Sequence, residues 1–75
     1  MEEAAEENIE LIRINEVIRI IPLSKSNIYS MIKTGAFPKP INIGGRSVAW
    51  NRKDIKQWIE QKIQERDRAL SMGIN

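Results

Sequence analysis

Apolar residues recur along the chain with the period of a helix in some segments and the period of a strand in others. A first helix is predicted by apolar residues with i, i+3, i+4 spacing at Val17, Ile20 and Ile21. We place its N-cap at Asn15, whose side chain can accept a hydrogen bond from the first turn. Pro22 ends the helix, because proline disfavours helical geometry in the residue before it. The apolar run at residues 11–14 predicts an extended segment or a short strand.

A second helix is predicted after a tight turn, with Ser24 as its N-cap. It covers Lys25 to about Lys33, and Gly35 suits the left-handed position that follows a helix end. Its inward side chains are Ile28, Met31 and Ile32. Two short helices joined in this way form a helix-turn-helix, in which residues 24–34 are the recognition helix.

Residues 41–50 predict a β-hairpin, because two short alternating runs flank a Gly-Gly turn. Asn42 is expected to face solvent, and four apolar residues are expected to face the body: Ile41, Ile43, Val48 and Trp50. A two-stranded hairpin is not stable alone, so it must pack on the helices. In a helix-turn-helix protein such a hairpin is a wing. The connector before it holds two prolines and Phe37, a predicted core residue.

The last helix is predicted to follow Asn51 as N-cap, with Asp54 completing a variant of the capping box, and to reach about Ala69. Its apolar stripe is Ile55, Trp58, Ile59 and Ile63. The predicted fold class is mainly α with a small β-hairpin, a winged helix-turn-helix. The chain is predicted to divide into a disordered acidic tail, the winged helix-turn-helix domain and a frayed tail: residues 1–8, 9–70 and 71–75.

Charge is strongly segregated along the chain. Residues 1–16 carry six acids and one base, a net −5, whereas residues 17–53 carry seven bases and no acid, a net +7. A segment of one sign is expected of a phosphate-binding face. Charge alone is equally compatible with solvated lysines scattered over a small basic protein.

Composition argues against an enzyme and against a metal or cofactor site. The chain has no histidine and no cysteine, which removes the commonest general base and the commonest metal ligands. The Gly44-Gly45 pair lacks the spacing of a nucleotide-binding motif. The acidic N-terminus is unlike a signal peptide, and no apolar run approaches the ~20 residues of a membrane span. We therefore expect a cytoplasmic protein.

The outward face of the second helix carries hydrogen-bonding groups and no acid. Asparagine pairs with adenine, lysine donates to guanine, and serine and tyrosine hydroxyls are common phosphate donors. We expect Lys25, Ser26 and Asn27 to reach bases, and Tyr29 and Ser30 to touch bases or backbone. The competing interpretation is that these residues form only the solvent-exposed face of an ordinary amphipathic helix.

Basic residues outside this helix extend the predicted interface. Arg46 lies at or beside the hairpin tip, where an arginine can enter a minor groove. Lys39 flanks the hairpin, and Arg52 opposes the dipole of the last helix, which suggests a phosphate contact. The predicted DNA-binding set is Ser24, Lys25, Ser26, Asn27, Tyr29, Ser30, Lys33, Lys39, Arg46 and Arg52. Trp50 and Trp58 fall on apolar phases and are expected in the core rather than stacked on bases.

Two motifs resemble the AlpA family of small prophage regulators, which is related to phage excisionases and to MerR-like winged helices. They are Ser-x-Ser-x-Ile-Tyr at residues 24–29 and Gly-x-Phe-Pro-x-Pro at residues 35–40, and the resemblance covers about residues 9–63. The family typically has threonine where this chain has Asn27, and often a basic residue where it has Ser30. These departures concern the target sequence and leave the fold expectation unchanged.

The resemblance implies a regulator carried on a prophage or integrated island. Such a protein activates an integrase promoter, or acts as an excisionase that bends DNA at attachment sites. Its implied partners are double-stranded DNA, with RNA polymerase or integrase, and a homodimer or a cooperative array on DNA. A different class remains open, a protein-interaction adaptor whose basic segment meets an acidic partner. The acidic tail could also compete with DNA for the basic face.

Overall fold

The computed structural model describes residues 9–72. In chain order the elements are β1 (Leu11–Ile12), α1 (Ile14–Ile20), α2 (Lys25–Lys33), β2 (Ile41–Gly44), β3 (Ser47–Asn51) and α3 (Arg52–Ser71). Three helices and one small antiparallel sheet confirm the predicted fold class of a mainly α winged helix-turn-helix. The predicted acidic tail, residues 1–8, and residues 73–75 lie outside the described residues.

The sheet has the strand order β1-β3-β2, so the wing hairpin is extended by an N-terminal strand. Ile12 pairs with Trp50 and Leu11 with Asn51. Trp50 has no exposed surface and lies at the centre of the core. The other buried members of this cluster come from strand β1, from each helix or its cap, and from the connector: Ile12, Val17, Ile21, Ile28, Phe37 and Ile55. The wing thus packs on the helices, as a hairpin of this size requires.

The prediction of Asn15 as the first N-cap is wrong. Helix α1 begins at Ile14, and its N-cap is Arg13, which makes no side-chain cap hydrogen bond. The helix starts early because β1 leads directly into it, and Ile14 packs against the core where a cap residue would be solvated. A seven-residue helix is marginal alone, so tertiary packing outweighs the local capping signal. Its end before Pro22 agrees with the prediction.

Helix α2 follows its local signals at both ends. The Ser24 hydroxyl accepts a hydrogen bond from the Asn27 backbone N–H at 3.0 Å, as an N-cap should. At the other end Gly35 has φ 81°, and Gly35 and Ala36 donate to the carbonyls of Ile32 and Met31. This pair of bonds is a Schellman motif, which satisfies carbonyls that the helix end leaves free. Ile28 is fully buried.

The predicted burial of Ile41 and Ile43 is wrong. Ile41 pairs with Ala49 and Asn42 with Val48, so Ile41 lies on the sheet face opposite Trp50 and is 42% exposed. The cause is an irregularity between Asn42 and Gly44, which inserts one extra residue into β2. Because side chains alternate with period two, a one-residue slip turns the strand over. Asn42 is exposed, as expected.

Helix α3 begins as predicted but continues further. The Asn51 side chain accepts from the Lys53 N–H at 2.9 Å. The reciprocal half of the expected capping box, from Asp54, is absent among the hydrogen bonds of residues 9–72. The helix runs to Ser71, past the predicted end near Ala69, and Ile63 is 44% exposed because the C-terminal half extends beyond the body. Within residues 9–72, no helix is both long and apolar enough to cross a membrane.

Candidate nucleic-acid interface

The predicted recognition face of α2 is a surface of exposed polar side chains. Its members are Lys25, Ser26, Asn27, Tyr29, Ser30 and Lys33, all exposed. Neither Lys25 nor Lys33 forms an ion pair with any other residue in the described part of the chain. The Asn27 backbone is engaged in the N-cap, which leaves its side-chain amide as a separate donor and acceptor. Ser24 accepts the cap bond through its oxygen, so its O–H can still donate to a ligand.

Tyr29 connects this face to the wing. Its ring packs edge-on against Trp50, with centroids 6.1 Å apart and planes at 64°. Such an arrangement is favoured for aromatic pairs. Because Trp50 belongs to β3, the contact fixes α2 against the strand that carries the hairpin. Tyr29 is still 37% exposed, so it is both a packing residue and part of the polar face.

The connector between α2 and β2 is held by both tryptophans. The Trp50 indole N–H donates to the Pro38 carbonyl at 3.0 Å, and the Trp58 indole N–H donates to the Ala36 carbonyl at 2.8 Å. Between these bonds Phe37 is buried and packs on Trp58 with ring centroids 5.0 Å apart. The predictions of Phe37 and Trp50 as core residues are thus confirmed, and Trp58 is half-buried. This anchoring sets where Lys39, which is exposed, leaves the connector.

The hairpin tip presents Arg46 on a turn closed by glycine. Gly45 has φ 55°, and no described non-glycine residue has positive φ, so Arg46 follows with negative φ. That sign pattern is the one of a type II′ turn with glycine first. The Asn42 side chain lies across the base of the tip, accepting from the Gly44 N–H and donating to the Gly45 carbonyl. Arg46 is exposed and forms no ion pair with another residue between 9 and 72.

Arg52 differs from the other predicted contacts because it is engaged within the chain. Its guanidinium lies 3.0 Å from Glu10 and 3.6 Å from Glu16, and its backbone N–H donates to the Glu10 carbonyl at 2.8 Å. The Nε contact is ionic rather than hydrogen-bonded, since that atom has no hydrogen-bond partner among the described residues. Arg52 thus ties β1 to the start of α3, and its phosphate contact stays a prediction.

The comparisons with known proteins agree with the resemblance of the two motifs. A family model described as Prophage CP4-57 regulatory protein (AlpA) matches residues 10–63. The chain belongs to the AlpA family. A protein of Enterobacteria phage P4, described as uncharacterized protein ORF88, is 37% identical over 57 residues. That match covers 76% of this chain and 65% of the phage protein. Membership of this family supports a phage-associated regulatory function.

The segment matched by the AlpA model contains α2, the connector and the wing, and so includes the whole predicted site. Sequence reasoning missed two features of it. Asn42 was treated only as a solvent-facing residue, although an asparagine two residues before glycine is a common side-chain-to-backbone turn signal. The Glu10–Arg52 contact joins residues far apart in the chain, and no local signal indicates it. The arrangement presents amides, hydroxyls and cations at the protein surface.

Proposed function

We propose that this AlpA-family protein is a sequence-specific, double-stranded DNA-binding transcriptional regulator of prophage or integrated-island type. The observation that carries the proposal is the acid-free stretch of residues 17–53, which runs from within α1 to the start of α3 and includes all of α2, the connector and the wing. Cations and hydrogen-bonding side chains are exposed on all three parts. A duplex is the partner whose charge and groove edges such a surface complements.

In this proposal α2 enters the major groove. Its first turn carries Lys25, Ser26 and Asn27, and the N-terminal residues of a recognition helix are those that usually meet base edges. An asparagine amide can bond bidentately to adenine, and a lysine can donate to guanine. Tyr29 and Ser30, a turn further along, are placed to contact bases or backbone.

The wing lies on the adjacent minor groove or backbone. Arg46 at the tip enters the groove, where a narrow width strengthens the attraction for a cation. Five cations neutralise phosphates: Lys25, Lys33, Lys39, Arg46 and, once released from its carboxylate partners, Arg52. With roughly four to six phosphate contacts, the slope of log affinity against log salt is about −4 to −5.

One copy reads only a short site, so useful specificity requires a homodimer or several copies on direct repeats. RNA polymerase is the further partner if the sites lie in a promoter. Integrase is the further partner if they lie beside an attachment site, in which case the protein acts as an excisionase that bends DNA.

The test is selection from a random duplex library, followed by fluorescence anisotropy of the selected duplex across a salt series. Asn27→Ala removes only the side-chain amide, since the capping bond uses the backbone. We expect it to weaken the selected duplex on the order of tenfold and to relax the preference at one position. Arg46→Ala should lower affinity and reduce the salt slope.

A charge-matched control is Arg68→Ala, which removes a cation from the C-terminal half of α3, outside the acid-free stretch. It should bind as the wild type does. No enrichment of a motif would contradict sequence-specific recognition, and no binding at low salt would move the protein to the adaptor class. Bending measured by circular permutation, together with the position of the sites, separates a promoter regulator from an excisionase.

A further inference from the structure

The wing hairpin contains one residue more on β2 than its partner strand can pair. Asn42 pairs with Val48 and Gly44 with Ser47. Val48 and Ser47 are adjacent in β3, so Ile43 is the unpaired extra residue of a β-bulge. Ile43 is 46% exposed and lies directly before the turn that carries Arg46.

The Asn42 side chain spans this bulge with both ends of its amide. Its Oδ1 accepts from the Gly44 N–H at 2.9 Å, which closes a ring around Ile43. Its Nδ2 donates to the Gly45 carbonyl at 3.0 Å. Gly44 and Gly45 have φ of 140° and 55°, conformations that glycine adopts readily. A local side-chain bond to the backbone two residues on is a recognised way to fix a turn.

We infer that Asn42 is a positioning residue for the wing, because its amide fixes the bulge at Ile43 and so sets the direction in which Arg46 leaves the tip. The inference rests on the proposed function in assigning Arg46 to DNA. A regular two-residue hairpin would instead pair Ile43 with Val48. That register would turn Ile41 and Ile43 toward the core face and reorient the tip.

The binding consequence acts only through Arg46. An arginine held on a defined turn loses less conformational freedom on binding than one on a mobile loop. Without the amide, the tip samples the regular register as well as the bulged one, so Arg46 is presented for only part of the time. Asn42→Ala should therefore weaken binding to the selected duplex measurably, but by less than the loss on the order of tenfold expected for Arg46→Ala.

The experiment measures duplex affinity for the wild type, Asn42→Ala, Arg46→Ala and the double variant. We expect the double variant to bind no more weakly than Arg46→Ala, since the amide has nothing left to position. Ser47→Ala is the matched control, because it changes a polar residue on the other side of the same tip whose side chain makes no hydrogen bond among residues 9–72. It should bind as the wild type does.

A second readout does not involve DNA. Cross-strand nuclear Overhauser effects should connect Asn42 with Val48 in the wild type. In Asn42→Ala, additional effects should connect Ile43 with Val48, from the molecules that adopt the regular register. The Gly44 amide should exchange faster with solvent in that variant. Asn42→Asp keeps the acceptor for Gly44 and loses the donor to Gly45, so it should retain the wild-type register more fully than alanine.

The outcomes separate the two proposals. The positioning role would be overturned if Asn42→Ala bound the duplex as tightly as the wild type. It would also be overturned if Asn42→Ala weakened binding as much in the Arg46→Ala background as in the wild type. Either result would leave DNA binding intact. An unchanged register in Asn42→Ala would also overturn the positioning role. Failure of the wild type to bind any duplex would overturn the proposed function and, with it, the assignment of Arg46 to DNA. The cross-strand contacts would still decide whether Asn42 sets the register of the hairpin.

Discussion

The two strands of the wing hairpin are neighbours in sequence and in the sheet, yet they occupy opposite environments. Every residue of β2 is exposed, whereas β3 holds two buried residues, Ala49 and Trp50. The difference follows from topology, because β3 is the central strand and β2 is at the edge. One strand is therefore part of the core, and the other is held mainly through its partner. This division leaves β2 and the tip free to contact a ligand without disturbing the core.

The largest effect is expected at the centre of β3. Trp50→Ala removes the buried indole together with its contacts to Tyr29 and the Pro38 carbonyl. We expect the free energy of unfolding to fall by about 3–5 kcal/mol, which is close to the whole stability of a domain this small. Circular dichroism at 222 nm during urea titration measures it. Trp50→Phe, which keeps an aromatic ring, should lose less unfolding free energy. If the two variants lost equal amounts, the hydrogen bond to the Pro38 carbonyl, and not the buried ring, would account for the stabilisation.

A smaller effect is expected next to it, at Ala49. This side chain is 1% exposed on the face that Ile41 shares, so Ala49→Leu must displace its neighbours. Overpacking of this kind costs about 1–3 kcal/mol. Thermal unfolding followed by circular dichroism tests it, with Ile43→Leu as a control of similar chemistry on the exposed strand. A neutral result for Ala49→Leu would mean that β3 has room on its outer face.

Substitution on β2 should cost less again. Ile41→Ala removes a side chain that is already 42% exposed, so the expected loss of unfolding free energy is below about 1 kcal/mol. Urea unfolding of this variant beside Val48→Ala compares the two strands directly. If Ile41→Ala proved as costly as Val48→Ala, β2 would contribute to the core and the contrast between the strands would disappear.

The smallest effect is expected just after β3, at the start of α3, where Arg52 contacts Glu10. Both side chains are partly solvated, with relative exposures of 41% and 63%, and exposed pairs contribute roughly 0–1 kcal/mol. Glu10→Gln should therefore change the unfolding free energy by no more than a few tenths of about 1 kcal/mol. The change should be smaller still at high salt, which screens the pair. Denaturation at two salt concentrations measures it. A large, salt-insensitive loss would indicate that this contact, and not strand pairing, holds β1.

Local signals in the sequence were sufficient for some elements and insufficient for others. The ends of α2 are set by Ser24 and Gly35, which act on adjacent backbone, and both were predicted from residue type. The start of α1 was mispredicted because Arg13 takes the cap position when β1 pairs with a strand far along the chain. Pairing of that kind leaves no periodic trace in a two-residue strand.

The face occupied by Ile41 shows a different limit. The alternation of apolar and polar residues correctly predicts that β2 is a strand. A single inserted residue, however, exchanges the two faces of the strand, so that Ile41 lies opposite Trp50. The site residues on α2 could be placed because a helix face follows from spacing alone. The role of Asn42 could not, since it depends on two hydrogen bonds that exist only once the bulge has formed.

Strand β1 also has a consequence for the order of folding. The β2–β3 hairpin closes around a two-residue turn, an event of microseconds, and α2 nucleates over a similarly short span. Joining Leu11 to Asn51 must instead bring together segments on either side of nearly the whole domain, at a larger cost in chain entropy. We expect the helices and the wing to assemble first, and the N-terminal strand to add to β3 as a late step that completes the sheet.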